Sequence, residues 1–156
     1  MVEAQEKGIS MVLQEANTIP DCTVAENIFA GRFDEFSKFK IVNMKKVTAA
    51  AQKMLDDFGI SHIKASDSIN KYGFEDRKLI EIVRCVSDDT QVFVVDETTT
   101  ALSLEGRNIL YKLIHKMKDE GKSVIFISHD MDEILEQCTD LTVLRDGEII
   151  GHLNRA

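Results

Sequence analysis

Two kinds of hydrophobic pattern alternate along the chain. Short, nearly continuous apolar runs occur at Ile9-Ser10-Met11-Val12-Leu13, Gln91-Val92-Phe93-Val94-Val95, Ser123-Val124-Ile125-Phe126-Ile127 and Leu141-Thr142-Val143-Leu144. Runs of this length and β-branched content predict strands, and the second and third read as buried on both faces, as in a parallel sheet. Between them lie segments whose apolar residues recur every three or four positions, the period of a helix with one buried face. Val24–Ala30 places Val24, Ile28 and Phe29 together, and Thr23 with Glu26 three residues on forms a capping box. Met44–Phe58 is alanine-rich, with Val47, Ala51, Met54, Leu55 and Phe58 on one side and Gly59 as its stop. Glu75–Val86 carries Leu79, Ile80, Ile82, Val83 and Val86, and Leu104–Lys118 carries Ile109, Leu110, Leu113, Ile114 and Met117 before Gly121. A short helix is expected over Met131–Gln137, and Asp146-Gly147 signals a hairpin from the Leu141–Leu144 strand into Ile149-Ile150. Residues 18–87 are thus mostly helical, and 91–153 alternate strand and helix, which predicts an α/β domain with a largely parallel sheet.

Composition narrows the class. The 156 residues suit one domain able to bury a core without staples. One proline, Pro20, and eight glycines exclude collagen-like and low-complexity chains. No apolar run reaches the length of a spanning helix, and the start, MVEAQEKGIS, lacks the apolar stretch of a secretory signal. The net charge of −8 repels phosphate backbones, so nucleic acid is not an expected partner, although a local nucleotide site is compatible with it. Cys22, Cys85 and Cys138 show no zinc or CxxC spacing and read as buried reduced thiols.

Three places carry candidate chemistry. Val92–Val95 delivers Asp96 and Glu97 to the C-terminal edge of a strand, where ligands bind in open α/β sheets. One carboxylate there can hold magnesium and its neighbour can polarise a water; a solvated loop would show the same residues. Val124–Ile127 leads to Ser128-His129, about thirty residues beyond Asp96, the length of one crossover. Adjacent parallel strands would bring His129 to the same edge as Glu97, where an imidazole can donate to a phosphate oxygen; the alternative is a histidine that merely caps the next helix. Gln14 directly follows the first strand and can contact a metal-bound or attacking water. His62, His115 and His152 have no such setting and read as surface or partly buried. Gly121-Lys122-Ser123 ends like a phosphate-binding GxxxxGK[ST] loop, but Lys116 occupies the first glycine position and the order is helix-to-strand, so it reads as a helix stop.

In this order the pieces resemble an ATP-binding-cassette (ABC) ATPase, most closely the first cassette of the tandem-cassette ATPases of ribose- and galactose-type importers. The resemblance rests on GISMVLQEANTIPDCTVAENIFAG, LIEIVR, VFVVDETTTAL and SVIFISHDMDEILEQCTDLTVLRDGEIIG, and covers nearly the whole chain. It implies an incomplete P-loop NTPase (RecA-like) core with a mostly parallel sheet plus a helical subdomain. Residues 1–17 would be the core strand and Q-loop, 18–88 the helical subdomain with the signature motif, and 89–156 the remaining core with Walker B, D-loop and switch histidine. By the same resemblance Gln14 is the Q-loop glutamine that senses metal and nucleotide. Asp96 is the Walker B magnesium ligand, Glu97 the catalytic glutamate and His129 the switch histidine. It further implies ATP and Mg2+ as cofactors of the intact cassette, a second cassette and transmembrane permease subunits as partners, and a cytoplasmic place at the inner face of the cell membrane.

The departures from that pattern are specific. No Walker A motif occurs in the chain, so it resembles the C-terminal part of a cassette, for which tight ATP binding alone is not expected. The signature stretch reads Tyr72-Gly73-Phe74-Glu75-Asp76, with Gly73 in place of the family's serine and Glu75 in place of a glycine. In the family that serine and glycine contact phosphate, where a carboxylate is unfavourable, so the resemblance implies a degenerate nucleotide contact at Gly73, Phe74 and Glu75. After Glu97 the family's Pro-Thr-Ser is Thr98-Thr99-Thr100, and no D-loop aspartate follows near Ser103. A subunit that hydrolyses ATP for monosaccharide import is the leading expectation; a non-catalytic structural or regulatory module and a soluble ABC ATPase are the alternatives. An uncovered sheet edge and apolar face would favour self-association.

Overall fold

The computed structural model describes residues 2–15, 17–86 and 89–154. A short helix α1 (Val2–Glu6) precedes β1 (Ile9–Val12), and α2 (Val24–Ile28) follows the loop through Pro20. A turn of 3-10 helix at Phe33–Phe36 leads into a small hairpin, β2 (Ser37–Lys38) and β3 (Ile41–Val42), and then α3 (Met44–Asp57). After a 3-10 turn at Ile69–Lys71 come α4 (Phe74–Cys85), β4 (Val92–Asp96), a third 3-10 turn (Thr98–Ala101), α5 (Leu104–Asp119) and β5 (Ser123–Ile127). The chain closes with α6 (Met131–Gln137), β6 (Asp140–Arg145) and β7 (Glu148–Asn154).

The central sheet is parallel, in the order β1-β4-β5. Its register aligns Val12 with Val95 and Val95 with Phe126, so all three strands end at one edge. Ser10, Val12, Phe93 and Val95 are buried on one face, with Val124 and Phe126 partly buried beside them. Helices α4 and α5 pack on β1 and β5 and touch each other, covering that face. The opposite face is half-open, with Ile125 51% and Ile127 44% exposed. This corrects the expectation that β4 and β5 are buried on both faces: a continuous apolar run does not reveal whether a second layer covers it.

The hairpin expected from the Leu141–Leu144 strand into Ile149-Ile150 is present as β6 with β7, antiparallel and apart from the parallel sheet, with a register shift between Val143 and Leu144. Asp146 and Gly147 both take positive φ, the geometry of a tight two-residue hairpin turn. The β2–β3 hairpin was not foreseen, because its turn is made by Phe39 and Lys40, both left-handed, rather than by glycine or asparagine.

The predicted caps are present. Thr23 Oγ1 accepts the Glu26 N–H at 3.2 Å, and the Glu26 carboxylate accepts the Thr23 N–H at 2.7 Å. Gly59, at φ 76°, turns the chain after α3, and the Ile60 N–H returns to the Leu55 carbonyl at 2.8 Å. Helices α2, α3 and α4 pack on one another around Val24, Ile28, Val47, Ala51, Leu55 and Ile80. The boundary expected after residue 88 falls where 87 and 88 lie outside the described residues. Of the cysteines only Cys85 is buried, and its thiol is pushed up to about 11 by burial; Cys22 and Cys138 are half-buried, not buried as expected.

Candidate functional site

The common edge of β1, β4 and β5 gathers Gln14, Asp96, Glu97 and His129. Gln14 lies two residues past Val12 and Glu97 two past Val95, its partner in register. Asp96 is the last residue of β4, opposite Ile127, and His129 follows two residues later. The His129 Nδ1 stands 3.5 Å from the Glu97 Oε1, and both side chains reach solvent. The pairing expected from parallel neighbours is therefore present in the geometry.

Glu97 departs from the strand abruptly. Its φ of 44° is left-handed, a conformation that costs a non-glycine residue about 1–2 kcal/mol. Hydrogen bonds hold it there: its N–H donates to the Ile127 carbonyl at 3.0 Å, and its own carbonyl accepts the Thr100 hydroxyl at 2.9 Å. The Thr98 hydroxyl donates to the Asp96 carbonyl at 3.2 Å. The bend turns the Glu97 carboxylate toward the β5 side, where His129 stands.

The Gly73–Glu75 segment begins α4. Gly73 is its N-cap in extended conformation without a side-chain cap, and Phe74 is exposed. Glu75 has partners of its own: its Oε1 accepts the Ser103 N–H at 2.9 Å and the Ser103 hydroxyl. Ser103 is itself the N-cap of α5. The carboxylate that sequence reading placed beside a phosphate thus has a partner in its own chain.

Sequence reading missed the polar residues that hold this edge from beneath. Lys78 is fully buried, and its ammonium donates to the Leu13 carbonyl at 2.6 Å, the Glu15 carbonyl at 2.8 Å and the Glu81 carboxylate at 2.8 Å. Arg84 donates to the Asn17 carbonyl at 2.9 Å, and the Cys85 thiol donates to the Met11 carbonyl at 3.4 Å. One stripe of α4 therefore satisfies alternate carbonyls from Met11 to Asn17 and fixes the backbone on both sides of Gln14. The signal available was Lys78 and Glu81, three residues apart on a helix whose neighbouring positions are apolar. Glu133 was missed too. It is buried and accepts from the Thr99, Ser128 and Tyr111 hydroxyls. Burial, then the Glu133 hydrogen bond and charge, push the Tyr111 hydroxyl well above the usual phenol range.

Chemically, the edge offers oxygen donors of the kind magnesium prefers, from Asp96 and Gln14, but few of them. Magnesium is usually held by one or two carboxylates together with substrate phosphates and water. The donor set fits an ion brought with a phosphate ligand rather than a self-sufficient protein cage. Among the described residues no cluster of three His, Cys, Asp or Glu could hold a metal by itself.

The parallel sheet thus carries a carboxylate, a carboxamide and an imidazole at its carboxyl edge, where ligands bind in open α/β folds. The ABC transporter family matches residues 1–100, and the chain belongs to that family. It is similar to the ribose import ATP-binding protein RbsA of Yersinia pestis, 38% identical over 154 residues, which cover 99% of this chain and 30% of that protein. The protein of the same name from Bacillus cereus is 36% identical over 149 residues, covering 96% of this chain and 30% of the relative. The chain thus spans less than a third of the length of these relatives. Among solved structures, a dimeric ATP-binding cassette in a post-hydrolysis state, bound to ADP and Pi, superposes with a TM-score of 0.80 at 20% identity, covering 99% of this chain and 66% of that one. CbiO1 from Clostridium perfringens, part of an ABC transporter complex, gives a TM-score of 0.74 at 20% identity, covering 99% and 60%. The α/β fold with a parallel sheet is that of the P-loop NTPase cassettes. No described helix is long and apolar enough to cross a membrane.

Proposed function

We propose that this chain is a portion of the ATP-hydrolysing subunit of a monosaccharide ABC importer, and that its contribution is the Gln14–Asp96–Glu97–His129 edge. The observation that carries the reading is the approach of His129 to Glu97 at the end of adjacent parallel strands. Asp96 and Gln14 would hold magnesium, which when bound with ATP supplies charge neutralisation for the phosphates. The Glu97 carboxylate orients a water and draws on its proton, and the His129 imidazole donates a hydrogen bond to a phosphoryl oxygen. The chain holds no GxxxxGK[ST] loop, so hydrolysis by these residues requires phosphate-binding groups from outside it, and the chain alone is inactive. Residues 18–88 form the helical subdomain that meets permease subunits, 1–17 and 89–156 the core. A second cassette closes on the nucleotide, and the whole works in the cytoplasm at the inner face of the membrane.

A non-catalytic cassette is the second reading, favoured by one observation: Glu75 occupies a signature glycine position and is tied to Ser103. The test exchanges this chain for the matching stretch of the Yersinia pestis relative and follows magnesium-dependent ATP hydrolysis by the chimera. Glu97→Gln is expected to lower the rate about a hundredfold, in the range of a lost general base. A rate indifferent to that substitution contradicts the catalytic reading and supports the other.

A further inference from the structure

Glu133 has the wrong partners for an ordinary helix-start glutamate. Asp130 is the N-cap of α6, accepting the Asp132 and Glu133 N–H groups at 3.1 and 3.2 Å. A glutamate three residues after a cap normally reaches back to the cap's own N–H. Here the Asp130 N–H is taken by the Ser128 hydroxyl oxygen at 3.1 Å, and the Glu133 side chain turns inward to 6% exposure. Its Oε2 accepts the Thr99 hydroxyl at 3.0 Å and the Ser128 hydroxyl at 2.9 Å, while its Oε1 accepts the Tyr111 hydroxyl. Thr99 belongs to the turn after Glu97, Ser128 precedes His129, and Tyr111 lies on α5 beneath both.

We propose that Glu133 is a positioning residue: its carboxylate ties the turn after β4 to the loop after β5 and so sets the separation of Glu97 and His129. The two loops need such a tie. The β4–β5 ladder ends at Asp96 and Ile127, and beyond it the Glu97 N–H to Ile127 carbonyl bond is the last main-chain link. Glu97 sits in a backbone conformation that relaxes unless held, and the His129 side chain is 71% exposed, so packing does not fix it. A hydroxyl-to-carboxylate bond is electrostatically stronger in a buried setting than in water, and a single carboxylate shared by both loops makes their positions interdependent. Arg107 adds to the same turn by donating to the Thr99 carbonyl at 3.1 Å.

The inference rests on reading Glu97 and His129 as the reacting pair, but its test involves no nucleotide and is independent of hydrolysis. The isotopically labelled 156-residue chain is compared by NMR with Thr99→Val, Ser128→Ala, Glu133→Gln and Glu133→Leu. Thr99→Val is expected to displace the His129 imidazole resonances, on the other loop, and Ser128→Ala to speed exchange of the Glu97 N–H about tenfold. Glu133→Leu does both, and Glu133→Gln, which keeps shape and an acceptor oxygen, restores most of the wild-type spectrum. If Glu133→Leu fails to fold, the two single-hydroxyl variants carry the test. Folded Thr99→Val and Ser128→Ala chains in which each change stays on its own loop would overturn the proposal. That result would leave the hydrolytic reading intact, whereas an unresponsive Glu97→Gln chimera would sink the reading and not the tie.

Discussion

Lys78 shows how much one buried charge can organise. All three of its ammonium protons are used, two on the backbone flanking Gln14 and one on Glu81. Glu81 is equally buried and has Arg84 3.5 Å away as a second, weaker partner. Removing one member of such a pair strands the other, along with the Leu13 and Glu15 carbonyls. Lys78→Met is therefore expected to destabilise the chain by about 3–5 kcal/mol, read from urea unfolding. Adding Glu81→Leu should recover part of that loss, because the remaining buried charge is removed as well. A double variant less stable than Lys78→Met alone would show that the pair is not what holds this region. The same clamp holds the carbonyls on either side of Gln14, whose own side chain is exposed.

At the scale of elements, the start of α2 makes a pH-dependent prediction. The Glu26 carboxyl is held below its ordinary value of 4.5, chiefly by the Thr23 N–H and then by the Thr23 hydroxyl, with burial working weakly against them. A carboxyl whose pKa falls on folding stabilises the fold above its unfolded value and ceases to do so as pH drops through the folded one. Glu26→Gln should therefore destabilise the chain at neutral pH, and the gap to wild type should close as pH falls below 4.5. Thr23→Ala should cost about 1 kcal/mol at neutral pH, the usual worth of a lost cap. A Glu26→Gln gap constant from neutral pH down to acid would contradict this account. Caps, stops and strand positions were legible because they depend on a few adjacent residues: Thr23 with Glu26, Gly59, Gly121, and the runs ending at Val95 and Ile127. What covers an element was not legible. Val92–Val95 and Ser123–Ile127 read alike whether one face or two are packed, whereas the hairpin after Leu141–Leu144 was legible from Asp146-Gly147. Glu133 stayed hidden because its partners Thr99 and Tyr111 lie far off in sequence, and Lys78 gave only its spacing from Glu81, since its other partners are the distant Leu13 and Glu15 carbonyls, which no periodicity reports.

Across the whole molecule, the half-open sheet face and the hairpin with exposed Leu144, Ile149 and Ile150 leave substantial apolar surface uncovered. Such surface favours association. Sedimentation of the chain should show dimers or larger species, shifted toward monomer by Ile125→Lys on strand β5; a monodisperse monomer at high concentration would contradict this. The four residues proposed for the site share one edge because each ends or follows an apolar run and those runs lie parallel. The central claim is that Glu97 and His129 act as one unit there. A double-mutant cycle in the chimera, with Glu97→Gln, His129→Ala and both together, tests it most directly. Groups that work as a unit are not additive, so the double variant should hydrolyse ATP no slower than the worse single one. Losses that multiply, or a His129→Ala rate equal to wild type, would contradict the account.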